Sequence, residues 1–197
     1  MSRANKNQTA INPGGEDVKL TSLDIEVAVA KHFNYRANLI VPNVSWGWGL
    51  RHEADLLVLR PSGTCDEVEI KITASDIRAD AKKRHPHWED RRISRVWFAV
   101  PFELADCPLI PEAAGILAVA RTVRSRDADG RWVARPWREG DAVWRDEVTV
   151  VRQARLRPKA ERKPVTDKQR MKLATLGAMR IWALKETAAN HCREVPR

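Results

Sequence analysis

The chain predicts an α/β domain, a mixed central sheet flanked by helices, followed by a basic arm and a further helix. Three observations predict it. Short Val-, Ile- and Leu-rich runs bounded by turn residues (ADLLVL, VEIKIT, ISRVWFAVPF, GILAVA) have the length and composition of strands. Helix-start signals stand at Thr21 or Ser22, at Ser75 and at Thr166. A length of 197 residues, 43% hydrophobic and 31% charged, suffices for one domain with a core.

Taken in order, residues 1–16 are polar and carry Pro13, Gly14 and Gly15, the composition of a flexible leader. They contain no apolar signal-peptide region, and no stretch approaches eighteen apolar residues, so neither a secretion signal nor a membrane span is expected and the location predicted is cytoplasmic. Cys65, Cys107 and Cys192, odd in number and far apart, fit a reducing compartment rather than a disulfide framework or a Cys-based zinc site. The main domain is read over residues 17–150. Its first helix runs from Thr21 or Ser22 to about Phe33, with Leu23, Val27, Ala30 and Phe33 as the buried stripe. Residues 38–46 form a first strand, ending in Trp46-Gly47-Trp48-Gly49. Trp46 and Trp48 could stack on unpaired bases, at about 1–3 kcal/mol per base, or fill core.

Residues 54–59 and 68–73 read as a β-hairpin broken by Pro61, Ser62 and Gly63. Alternation puts Val68, Ile70 and Ile72 on one face and Glu69, Lys71 and Thr73 on the other. If facing residues sum to about 124 or 126, Asp55 lies opposite Glu69 or Lys71 on the same side of the sheet; an odd sum sends it to the wrong side. Two carboxylates and an ammonium among apolar neighbours lose hydration, and a hard cation resolves that strain. Mg²⁺ takes oxygen ligands and commonly only one or two protein carboxylates. Asp55 and Glu69, helped by the backbone carbonyl of Ile70, are the expected ligands, with Mn²⁺ able to substitute. Lys71 bears no lone pair while charged, so it would orient the attacking water or neutralise growing phosphate charge. An E-x-K triplet also occurs on ordinary solvated sheet faces; the parity of Asp55 separates the two readings.

Ser75 is the expected N-cap of the next helix, with Asp76 in its first turn and Pro86 ending it after about Arg84. Arg78, Lys82 and Lys83 cluster on it as phosphate contacts, or as a solvated face. His85 and His87 lack a third ligand nearby. A central strand is expected over 93–102 and a short buried one over 115–120, then a hairpin of 121–126 with 131–137 about Asp129-Gly130, with Trp132, Trp137 and Trp144 covering the sheet edge. Residues 152–197 hold 13 Lys and Arg against 4 Asp and Glu, net +9, whereas residues 1–151 hold 22 against 22. The C-terminal part, residues 151–197, thus carries the whole formal excess: an Arg-rich arm over 152–163, including Arg155, Arg157 and Lys159, then a helix opened by a Thr166/Gln169 capping box and docked through Met171, Ala174, Ala178 and Ile181. A basic arm on a neutral body suits a polyanion such as DNA.

The order Asp55, then Glu69-x-Lys71 on the second strand of a hairpin, resembles the PD-(D/E)XK nuclease superfamily. EIKITASDIRADAKKRHPHW, RVWFAVPFE and PEAAGILAVA resemble, more specifically, the MmcB-like DNA-repair endonucleases, over roughly residues 20–120. Ala54 stands where that superfamily often has proline, and Ile77 where the family usually has an aromatic. The resemblance implies a restriction-endonuclease-like fold, a Mg²⁺-dependent nuclease acting on DNA in repair, recombination or phage DNA processing, and a role for an acid on the first helix, Glu26, in the metal site directly or through water. Glu26 read by itself is equally a solvated helix glutamate beside Lys31. Two alternatives share these features: a non-cutting DNA-binding repair module, and an RNA-processing nuclease. A homodimer is one assembly the sequence permits, and no membrane partner is expected.

Overall fold

The computed structural model describes residues 19–80, 89–126, 128–136 and 144–194. The expected leader, Lys82, Lys83, Arg84, His85, Pro86, His87 and Trp137 lie outside the described residues. Among the described residues three helices and seven strands follow in the order α1 (Ser22–His32), β1 (Leu39–Val44), β2 (Ala54–Leu59), β3 (Cys65–Ile70), α2 (Ala74–Asp80), β4 (Ile93–Pro101), β5 (Gly115–Arg126), β6 (Trp132–Pro136), β7 (Arg145–Arg152) and α3 (Asp167–Glu194). All seven strands join one mixed sheet. β1, β2 and β3 are antiparallel neighbours, while β3, β4 and β5 run parallel. The twelve-residue β5 pairs β4 at its start, β6 at its end and β7 along much of its length. Among the described residues, no helix is long and apolar enough to cross a membrane.

Parallel strands need a crossover, and α2 occupies the one between β3 and β4. Strand alternation splits the core in two. One side gathers Leu57, Leu59, Cys65, Ile77, Val96 and Phe98, covered by α2 and α3; the other gathers Leu56, Val58, Val68, Trp97 and Leu117, covered by α1. Ile77, where the resembling family has an aromatic, is fully buried in the first side.

Several boundaries shift. β3 starts at Cys65 and stops at Ile70, ahead of the expected 68–73 span, because Thr73 is already turning into α2. Its hydroxyl accepts from the Asp76 N–H at 3.1 Å while the Asp76 carboxylate accepts from the Thr73 N–H, so Thr73 rather than Ser75 makes the reciprocal cap. The expected strand 115–120 and the first arm of the hairpin are one continuous strand, β5, and Gly130 takes the positive φ that the turn into β6 requires. β7 was not foreseen: RDEVTVVR reads as a charged run, yet Val148 and Val150 tuck under α1.

Two buried stripes also differ. On α1 the inward residues are Ile25, Ala28, Val29 and the following Phe33, while Leu23 and Val27 are exposed and line a groove with Tyr35 and Trp144. Two apolar stripes of α1, alike in residue size, satisfy one helical period, and the one that is buried packs against Leu56, Val58, Val68 and Trp97 of the sheet. On α3, Leu173 is fully buried, whereas Met171 is 69% and Ile181 56% exposed. A Cβ on Gly177 would sit 3.2 Å from Val41, so this glycine lets the helix close on β1, and Arg180 donates to the Asn43 carbonyl at 2.9 Å. Close approach thus turns Leu173, Leu176 and Gly177 inward; of the expected stripe Ala174 is half-buried with them, while Met171, Ala178 and Ile181 are exposed.

The Arg-rich stretch is no loose arm. The Arg155 N–H donates to the Ala113 carbonyl at 3.0 Å, that of Arg157 to Ser94 at 2.9 Å and that of Lys163 to Arg91 at 2.8 Å, strapping it along the body.

Candidate active site

The β2–β3 hairpin sets the geometry. Leu56 faces Val68 and Leu57 faces Glu67, a register in which every pair sums to 124. One residue further along, Asp55 comes beside Glu69, on the side predicted by even parity. There the ladder is completed by a side chain: Asp55 Oδ2 accepts the Ile70 N–H at 2.7 Å. Ile70 is thereby fixed alongside the Asp55 carboxylate, with its own place in the chain between Glu69 and Lys71. The Lys71 N–H donates to the Ala99 carbonyl at 3.0 Å, which locks the end of β3 against β4.

Lys71 Nζ then sits among three carboxylates: 2.6 Å from Glu69 Oε2, 3.3 Å from Asp80 Oδ1 and 3.7 Å from Asp55 Oδ2. Burial opposes its charge, but the Glu69 carboxylate, and then Asp55 and Asp80, more than offset this and hold the Lys71 ammonium above its ordinary pKa. Glu69 is 1% exposed, while a third of the Asp55 side chain, 34%, meets solvent. Among the described residues Asp55 Oδ1 makes no hydrogen bond. The donor set therefore combines hard carboxylate oxygens, one of them open, with a fixed ammonium, oxygen chemistry of the kind that could hold a divalent cation.

Asp80 was missed by the sequence reading. Its signal was present: Ile77 and Asp80 stand three apart and share the face of α2 that turns to the sheet. Glu67 was missed too, although alternation alone sets it on the face of Glu69 and Lys71. It is fully buried and its Oε1 lies 2.7 Å from His52 Nε2. Asp66, on the opposite face, has a structural role, held at 2.9 Å by Arg60 and 3.5 Å by Arg95.

Glu26 lies half-buried on α1 within electrostatic reach of Asp55. Burial, and then the Asp55 charge, push its carboxyl above the ordinary glutamate value. The charged form is the one the fold disfavours, so Glu26 contributes stability below its unfolded pKa and loses it as pH rises through the higher folded pKa. In metal-free buffer, Glu26→Gln should melt above the wild type at pH 7–8, and the difference should vanish near pH 4 and below. Thermal melts across pH check this; a gap that stays constant with pH would remove Glu26 from the electrostatics of the site.

The other expected contacts divide. Arg78, Arg155 and Lys159 are exposed, as a phosphate contact requires. Arg157 is tied down, its guanidinium donating to the Ile93 carbonyl at 3.0 Å and the Asp90 carbonyl at 3.4 Å, so it serves the strap. Trp48 is corrected from base stacking to core: it is 3% exposed, its indole N–H donates to the Gln169 carbonyl at 3.0 Å, and the Arg92 guanidinium lies 4.1 Å over its ring. The Trp46 side chain, Lys82 and Lys83 fall outside what is described.

A mixed sheet flanked by helices, with an acid–lysine cluster at the end of its second hairpin strand, defines the molecule as an α/β protein. No family model and no curated protein matches the chain. Among solved structures it is similar to SPO1766, a protein of unknown function from Silicibacter pomeroyi, at a TM-score of 0.56 and 21% identity over 87% of this chain and 96% of that one. The likeness shows a shared fold.

Proposed function

We propose that the chain is a metal-dependent nuclease that hydrolyses DNA phosphodiester bonds, with a restriction-endonuclease-like core and a place in the MmcB-like group of the PD-(D/E)XK superfamily. The observation that carries this reading is the hairpin register that brings Asp55, Glu69 and Lys71 together at the end of β3. The antiparallel β1–β2–β3 followed by the parallel β3–α2–β4 crossover supports the fold assignment.

Asp55 and Glu69, with the Ile70 carbonyl, would hold Mg²⁺, or Mn²⁺ in its stead. When bound, the ion lowers the pKa of a water and offsets charge developing on phosphate. Lys71, charged well beyond neutral pH, donates toward the attacking water and the phosphate rather than accepting a proton. Asp80 anchors that ammonium from the α2 side. Glu26 reaches the same end of the sheet and would act through water. Arg78, Arg155 and Lys159 offer phosphate contacts whose strength falls with salt.

The test is incubation of the protein with labelled single-stranded, duplex, flap and branched DNA, and with RNA counterparts, in Mg²⁺ or Mn²⁺ with an EDTA control. Metal-dependent DNA products are expected. Binding without products would leave a non-cutting module, and cleavage confined to RNA would make the chain an RNA-processing enzyme.

A further inference from the structure

We infer that His52, Glu67 and Glu69 form a second divalent-cation site, selective for a first-row transition ion such as Mn²⁺, Co²⁺ or Zn²⁺ over Mg²⁺, and sharing Glu69 with the Asp55 site. Because Glu69 is shared, the inference rests in part on the function proposed above.

Glu67 and Glu69 are two apart on β3, so both carboxylates point to one face, and they are 0% and 1% exposed. His52, just before β2, brings its ring edge to them. One ligand atom from each of the three residues lies within 4.8 Å of the others, a little wider than the roughly 4.0–4.4 Å between opposite donors on one ion with bonds of about 2.0–2.2 Å, so small side-chain shifts would draw them onto it. Two carboxylate oxygens and one imidazole nitrogen are a donor set that suits Mn²⁺, Fe²⁺, Co²⁺ or Zn²⁺, whereas Mg²⁺ favours oxygen alone.

The 2.7 Å contact between His52 Nε2 and Glu67 Oε1 is a hydrogen bond through a proton. A metal entering there takes the place of that proton, which moves from Nε2 to Nδ1 of a neutral imidazole or leaves as H⁺ from an imidazolium, so that neutral imidazole and carboxylate are the ligands in either case. A route exists: His52 lines a groove of about 470 Å³ with Gly49, Leu50, Arg91 and Lys163. With Asp55 and Glu69 holding one ion, and Glu69, Glu67 and His52 the other, Glu69 would bridge the pair, the arrangement by which two ions flank attacking and leaving oxygens.

The experiment is Co²⁺ titration of the full chain, read by visible absorption, on wild type, His52→Gln, Glu67→Gln and Asp55→Asn. Wild type should bind with an imidazole-containing spectrum. His52→Gln and Glu67→Gln should weaken binding at least as much as the roughly 10- to 100-fold typical of losing an outer-shell partner, while Asp55→Asn keeps the spectrum. Unchanged Co²⁺ affinity in both site variants overturns the proposal and leaves an ordinary His–Glu pair. Should those variants not fold, histidine-ring NMR of the wild type decides: the His52 resonance must shift with Zn²⁺, and an unmoved resonance sinks the site. Co²⁺ bound at His52 without nucleic-acid cleavage would retain this site and reject the nuclease; Mg²⁺-driven cleavage with no metal at His52 would do the reverse.

Discussion

Asp55→Asn should lower metal-dependent cleavage by about 10²- to 10³-fold or more, the range for removing one electrostatic contributor from a reacting site, while leaving the fold intact. Asn keeps the shape and an oxygen for the Ile70 N–H, and the residue it replaces is already a third exposed. What it removes is a charged oxygen ligand. Lys71→Ala should abolish cleavage too, but through two effects. The ammonium is buried against Glu69 and Asp80, and breaking a buried pair by deleting one partner costs about 3–5 kcal/mol. Since the folded pKa of Lys71 is raised, its stabilising effect is fully present at neutral pH and lost only as pH climbs through that folded value. At pH 7–8 Lys71→Ala should therefore melt well below wild type and Asp55→Asn should not. Cleavage and melting measured together separate chemistry from folding. Undiminished cleavage by Asp55→Asn in Mg²⁺ would refute the assignment.

Gly115→Ala should destabilise the protein by about 3 kcal/mol or more, the upper part of the usual overpacking range. At roughly 2–4 °C per kcal/mol for a chain of this size, Tm would fall by about 6–12 °C. An added Cβ would lie 2.2 Å from Trp97 Cε3, 2.5 Å from Trp97 Cζ3 and 2.7 Å from the Ala154 backbone nitrogen. Neither side can yield cheaply. Trp97 is 5% exposed and its ring stands edge-on against Phe33 at 5.9 Å, under α1; Ala154 belongs to the strap that is bonded to the body through Arg155 and Arg157. The glycine is the point where β4, β5 and the strap meet. Thermal or urea unfolding checks it, and a variant as stable as wild type would mean that Trp97 does not pack across β5.

The candidate site was unusually legible where it depended on local arithmetic. Strand alternation and a short loop are enough to put Asp55, Glu69 and Lys71 on one side of a hairpin, because the side-chain period is two and loop length sets register. The same alternation would have supplied Glu67, and the i, i+3 spacing on α2 would have supplied Asp80, had buried acids been sought as well as motif acids. His52 was not legible, since a loop between strands sets its direction. Trp48 shows the limit from the other side: a Trp-Gly-Trp-Gly loop reads equally as a stacking platform or as core filler until α3, more than a hundred residues later, presents the Gln169 carbonyl to its indole and settles it as core.

From its residues alone this protein was determined to be α/β, with a hairpin bearing two acids and a lysine, a capped basic C-terminal helix and all formal excess charge in its last quarter. Those follow from periodicity, capping and composition, which act within a few residues. Tertiary structure alone decided which stripe of α1 and α3 faces inward, that residues 145–152 join the sheet as β7, that the Arg-rich stretch is a strap, and that His52 meets Glu67. Each of these depends on which surfaces can approach one another most closely across the sheet. That selection is made by packing between residues far apart in the chain, where no local pattern carries the information.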